Sequence, residues 1–136
     1  MKKQLKLHEG YEKKPYKCTA NKLTIGVGRN LEDKGLTDDE VDYLLENDIK
    51  ECMDDLKQFE WYNKLSVNRK HALIDMRLNL GLGGLLSFKR MIGKIEENNF
   101  KEASFEMLDS LWANQVGERA ERLAFMMKNN KKWSDY

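Results

Sequence analysis

From Thr37 to the C-terminus the apolar residues repeat at helical spacing, and before that point a single segment does not. This switch in period constrains the fold more than any other feature of the chain. The exceptional segment, Tyr16 to Gly28, gathers the strand-prone residues Thr19, Leu23, Thr24, Ile25 and Val27, and Ala20-Asn21-Lys22 can turn between two strands. Gly26 and Gly28 alternate with Ile25 and Val27, as in a strand that something approaches closely on one side. A lone proline, Pro15, leaves the rest free to be helical.

The helices can be placed one by one. Leu5 and Leu7 suggest a short first helix that ends near Gly10. Thr37-Asp38-Asp39-Glu40 has the form of a capping box. Behind it Val41, Leu44, Leu45, Ile49, Met53 and Leu56 share one helical face. Ser66 caps a helix whose apolar residues Val67, Leu73, Ile74, Met76, Leu78 and Leu80 spread around most of its circumference, which predicts a central, buried helix. Gly81, Gly83 and Gly84 stop it. Ser87 is expected to cap a helix with Phe88, Met91, Ile92 and Ile95 inward. Two further stripes follow: Phe100, Ala103, Met107, Leu108 and Leu111, then Val116, Ala120, Leu123, Ala124 and Met127. The expectation is an α+β fold, mostly α, with a hairpin lobe over residues 10–36 and a helical part over 37–136.

Composition excludes several classes. A length of 136 residues suits one domain, and 24 Lys plus Arg against 23 Asp plus Glu give a net charge of +1. A dedicated nucleic-acid binder usually carries a strong basic excess, so no nucleic-acid partner is expected. No apolar run is long enough to span a membrane, and no stable membrane association is expected. The basic start at Lys2-Lys3 lacks the apolar stretch that would make it an export signal. Cys18 and Cys52 read as free thiols. His8, Cys18, Cys52 and His71 show no zinc-ligand spacing, so no metal site and no cofactor are expected. Cys18 with His71 is weak support for a cysteine hydrolase. Lys128, Lys131 and Lys132 would suit a binding module docking on an anionic polymer, and more often such a tail is simply solvated.

The residues that carry chemistry are Glu9 in Leu7-His8-Glu9-Gly10, Cys18, and Thr24 in Leu23-Thr24-Ile25-Gly26-Val27-Gly28. Glu, eight residues, Asp or Cys, five residues, Thr: this arrangement resembles the phage-type lysozymes of glycoside hydrolase family 24. Asn79-Leu80-Gly81 at the end of the central helix is similar as well. So is Trp112-Ala113-Asn114-Gln115 followed by Arg119-Ala120-Glu121-Arg122. The resemblance implies a lysozyme-like fold, two lobes with a cleft between them, in a single catalytic domain over 1–136 without a separate wall-binding domain. It implies a hydrolase that cuts the β-1,4 bond between N-acetylmuramic acid and N-acetylglucosamine in peptidoglycan, with inversion. A lytic transglycosylase would cut the same bond without water.

Breaking a glycosidic bond requires a proton for the leaving oxygen and a second group across the sugar ring. The resemblance implies that Glu9 is the general acid, that Cys18 acts from the opposite face and that Thr24 positions water. Asn79 and Gln115 are candidates to hydrogen-bond substrate, and Arg119 is implied to be a cleft cation near Glu9. Trp112 reads as structural rather than as a sugar platform. The best-known member carries aspartate where this chain has Cys18. A thiol has an ordinary pKa of about 8.5, so Cys18 needs help to ionise, and Lys17 or Arg29 could supply it. The resemblance further implies a monomer that stays in the host cytoplasm until a holin admits it to the wall.

Overall fold

The computed structural model describes residues 1–136. Eight α-helices and a three-stranded antiparallel sheet divide into two compact units, Met1–Leu45 and Glu46–Tyr136. The α+β, mostly helical reading is correct. No helix is long and apolar enough to cross a membrane.

The N-terminal unit opens with α1 (Lys2–Glu9), which ends at Gly10 with φ +86°. Strands β1 (Glu12–Lys17), β2 (Leu23–Gly26) and β3 (Arg29–Asn30) follow as two consecutive hairpins in the order β1-β2-β3. Strand β1 begins earlier than strand propensity predicts, because Glu12, Lys13 and Lys14 favour no strand by themselves. Pairing recruits them. Tyr16 faces Thr24, Lys17 faces Leu23 and Glu12 faces Gly26, with a register irregularity between Glu12 and Tyr16. Pro15 is tolerated because β1 is an edge strand. The β1–β2 turn closes with Asn21 in the left-handed region at φ +60°. Thr24 then pairs with Asn30 and Ile25 with Arg29.

Helix α2 (Asp38–Leu56) starts with the expected capping box. The Glu40 N–H donates to Thr37 Oγ1 at 3.2 Å, and the Thr37 N–H donates to Glu40 Oε1 at 2.9 Å. Its apolar stripe corrects the sequence reading. Val41, Leu44, Leu45, Ile49 and Met53 are exposed, and burial on α2 falls on Cys52 and Leu56. Periodicity defines a face, but it does not supply a partner for that face.

The C-terminal unit contains α3 (Glu60–Asn63), α4 (Val67–Leu86), α5 (Lys89–Glu96), α6 (Phe100–Leu108), α7 (Leu111–Val116), α8 (Glu118–Asn129) and a 3-10 turn, Trp133–Asp135. Ser66 caps α4 by accepting from the Arg69 N–H. Gly81, at φ +76° and ψ +166°, breaks α4, as its glycines predict, but helical backbone resumes beyond it to Leu86. Helix α4 is not buried all round. Ala72, Leu73 and Met76 are fully buried while Val67 and Leu78 are exposed. Ser87 does not cap α5. Its hydroxyl donates to the Gly84 carbonyl at 2.6 Å and so closes α4. The predicted stripe Phe100 to Leu111 is split, since Ser110 caps a new helix and Leu108 and Leu111 are exposed. Leu56, Leu73, Met76, Leu85, Met91, Met107 and Met127 form the centre of the core.

Candidate active site

Glu9 is the last residue of α1, and its side chain is exposed. It lies over Gly28, in the tight turn between β2 and β3. A Cβ built on Gly28 would stand 2.9 Å from Glu9 Oε2 and 3.4 Å from Glu9 Cβ. Gly28 also sits at φ +67°, where L side chains are strained. Glycine at 28 therefore serves the turn and leaves room for the Glu9 carboxylate. The alternation of Gly26 and Gly28 signals a close approach in the sequence; the partner that approaches is not legible there.

Cys18 and Thr24 come together at the other end of the same sheet. Cys18 directly follows β1 and is half-buried; Thr24, on β2, is the one buried side chain of the N-terminal unit, with 4 % exposure. The Cys18 N–H donates to the Lys22 carbonyl at 3.0 Å, and the Asn21 N–H donates to the Cys18 carbonyl at 2.8 Å. The Cys18 pKa is lowered. The chief cause is the Lys22 N–H, followed by the Thr24 hydroxyl, while burial opposes the shift. The same hydroxyl lies 2.8 Å from the Lys22 carbonyl. It carries one proton, so it serves either the carbonyl or the sulfur at a given moment.

The cations suggested as helpers for Cys18 are engaged elsewhere. Lys17 pairs with Glu32 at 3.1 Å. Arg29 pairs with Glu40 at 2.7 Å and also donates to the Gly35 carbonyl at 3.2 Å. Arg29 and the Thr37 N–H hold the Glu40 carboxyl down to about 2. Fixed backbone dipoles and a hydroxyl, not a neighbouring ammonium, favour the Cys18 thiolate.

The remaining candidates belong to the C-terminal unit. The Trp112 indole N–H donates to Asn79 Oδ1 at 2.7 Å, and its ring meets Phe88 edge-on with centroids 5.9 Å apart. Trp112 is 5 % exposed, so its structural reading is correct. Gln115 is exposed and, with Leu80, Phe88, Arg90, Glu106 and Trp112, lines an open groove of about 590 Å³. Arg119 is fixed within its own unit by Asp75, whose Oδ1 lies 2.7 Å from both Arg119 Nε and Nη2. Asp75 was not singled out in the sequence, where nothing marks it among 23 acids. One turn along the same helix, Arg122 pairs with Glu118 at 2.9 Å.

A profile of the phage lysozyme family matches residues 6–128. Two proteins of Dictyostelium discoideum, probable T4-type lysozymes 2 and 1, are 27 % and 28 % identical, each over 90 % of both chains. The pre-baseplate central spike protein Gp5 of Enterobacteria phage T4 is 26 % identical over 77 % of this chain and 19 % of its own length. The chain belongs to the phage lysozyme family. Membership supports a glycoside hydrolase of the muramidase type that acts on peptidoglycan.

Proposed function

We propose that residues 1–136 act as one catalytic domain that hydrolyses the β-1,4 bond between N-acetylmuramic acid and N-acetylglucosamine, with inversion, to lyse a bacterial host. The observation that carries this reading is that Glu9, Cys18 and Thr24, spaced as in the family signature, belong to one small unit in which Cys18 and Thr24 are in hydrogen-bonding contact. Glu9, as the carboxylic acid, donates its proton to the leaving glycosidic oxygen as the C1–O bond breaks. Water attacks C1 from the opposite face and gives a proton to the Cys18 thiolate. The products are a new reducing end and a free hydroxyl; Glu9 and Cys18 then exchange protons with solvent to restore the starting state. Thr24 orients the water or donates to the sulfur. The lowered Cys18 pKa supports a thiolate in the role that a carboxylate fills in the best-known family member. Within the C-terminal unit, Asn79, Gln115 and Arg119 are the candidates to contact substrate. Asn79 keeps its amide N–H groups free for this, and Arg119 is held by Asp75. In this reading the enzyme is a monomer in the host cytoplasm, with neither metal nor cofactor, and meets the wall once a holin opens the membrane.

The test is digestion of purified peptidoglycan by wild type and Glu9→Gln, with products identified by mass. The expected result is new reducing ends from wild type and a loss of at least about a hundredfold in Glu9→Gln. Anhydro-sugar ends would assign a transglycosylase. Equal cleavage by both proteins would remove Glu9 from the chemistry.

A further inference from the structure

The three tryptophans differ in what they present to solvent. Trp112 is 5 % exposed and committed to Asn79, whereas Trp133, in the 3-10 turn after α8, is 62 % exposed. An exposed indole at the end of a chain is usually loose. This one is anchored. Arg122 donates to the Trp133 carbonyl at 3.0 Å, and its guanidinium lies 5.6 Å from the Trp133 ring centroid and 4.9 Å from that of Tyr136. Tyr136 in turn donates to Glu121 at 3.0 Å and meets Phe125 edge-on. The Lys132 N–H donates to the Asp135 carboxylate at 3.3 Å, which closes the turn.

Trp133 borders a shallow hollow of about 210 Å³ whose other walls include Val67, Asn68, His71, Lys132 and Ser134. The lining is mostly apolar, from Trp133, Val67 and Met126, and carries a few polar groups without a partner in the protein. No hydrogen bond engages the His71 ring, the Ser134 hydroxyl or Asn68 Oδ1, whereas Asn68 Nδ2 donates to the Asn130 carbonyl at 3.0 Å. A flat indole beside hydroxyl, imidazole and amide groups matches a sugar ring, which has an apolar C–H face and a polar edge. The surroundings are cationic. Lys128, Lys131 and Lys132 are exposed and enter no ion pair, while the nearby carboxylates Glu118, Glu121 and Asp135 are engaged by Arg122, Tyr136 and the Lys132 N–H. The other aromatic surface, Phe59 stacked on Trp61, borders a hollow lined by Glu60, Glu96 and Lys64; Lys64 pairs with Glu60, which leaves Glu96 and a poor match for an anionic ligand.

We propose that Trp133, with His71, Lys132 and Ser134, forms an ancillary site for the anionic amino-sugar strand of the cell wall, outside the groove that Gln115 lines. The sugar face stacks on the indole, and the lysines meet the carboxylates of the peptide stems. This rests on the reading of peptidoglycan as the substrate. Because Trp133 is already held, binding loses little conformational freedom.

The experiment is a titration of the Glu9→Gln protein, observed through its three indole N–H resonances by NMR. The probes are N-acetylglucosamine trimer, a peptidoglycan glycan fragment with peptide stems, and anionic phospholipid vesicles. The expected result is that the Trp133 resonance moves with both sugars, with tighter binding of the charged fragment. Trp133→Ala should weaken retention on insoluble peptidoglycan about tenfold. The Lys131→Glu, Lys132→Glu double variant should lose the preference for the charged fragment while still binding the trimer. These lysines are exposed and enter no ion pair, so that variant keeps the test valid if Trp133→Ala disturbs the fold. A Trp133 resonance unmoved at saturating sugar, or moved by the vesicles alone, overturns the proposal. Cleavage of the fragment by Glu9→Gln, seen by mass, would instead overturn the assignment of Glu9.

Discussion

The two units of the chain hold themselves together by different means. In the C-terminal unit seventeen buried apolar side chains form one cluster. In the N-terminal unit no apolar side chain is fully buried, and Thr24 is the single buried residue. There the structure depends on the sheet ladder, on Arg29 with Glu40, on Lys17 with Glu32, and on the Thr37 capping box. The unit that carries Glu9, Cys18 and Thr24 is thus held by charge and hydrogen bonding, and the helical unit by excluded water. Each should fail under its own conditions: the helical unit when its core is hollowed, the N-terminal unit when its carboxylates are protonated.

The largest effect belongs to the helical core. Met76→Ala removes a fully buried side chain from the middle of α4 and should cost about 3 kcal/mol in urea unfolding. A cost near that of a surface change would show that the core is looser than its burial implies and would erase the contrast.

Gly28→Ala should come next. A left-handed backbone costs an L residue roughly 1–2 kcal/mol, and the new methyl group would displace the Glu9 carboxylate. Peptidoglycan cleavage should fall at least about tenfold, because small misplacements of a reacting group are expensive. Measuring stability and cleavage on the same sample separates the two effects. Unchanged cleavage would remove the Glu9–Gly28 contact from the working geometry.

The smallest effect sharpens the electrostatic side. Glu40 titrates at about 2 in the folded unit, below its ordinary value of 4.5. A depressed carboxylate contributes stability that is fully present above the ordinary value and is lost as the pH falls from there through the folded one. Amide protection in residues 29–40, corrected for the intrinsic pH dependence of exchange, should therefore fall between pH 4.5 and 2 in wild type. Glu40→Gln should show a weaker dependence across that window and faster exchange above it. Because both side chains are partly exposed, added salt should reduce the difference. Equal profiles in the two proteins would mean that Arg29 and Glu40 do not hold this unit.

Much of this division could be read from the residues. The capping box at Thr37, the break at Gly81 and the hairpin turn before Thr24 all depend on neighbours in sequence, and each formed. The errors share a different origin. Strand β1 opens with residues that favour no strand, and they join it because β2 pairs with them. The stripe on α2 has the right period but lies open to solvent. Arg119 has an ion partner, Asp75, that nothing in the sequence marks. Pairing, burial and the choice of an ion partner are decided by residues far apart in the chain, and a pattern read along the chain carries little of that information. For the candidate site, the sequence identifies which residues to watch. It does not reveal that Gly28 accommodates Glu9, or that backbone N–H groups rather than a lysine favour the Cys18 thiolate.

The two cysteines have a practical consequence. Cys18 is half-buried with its pKa lowered, whereas Cys52 is fully buried and its pKa is raised by that burial. A thiol reagent at mildly acidic pH should discriminate between them without any engineering. A fluorophore or spin label then attaches beside Thr24 in the native protein, and that unit acquires a reporter while the sulfur at Cys52 stays untouched in the helical interior.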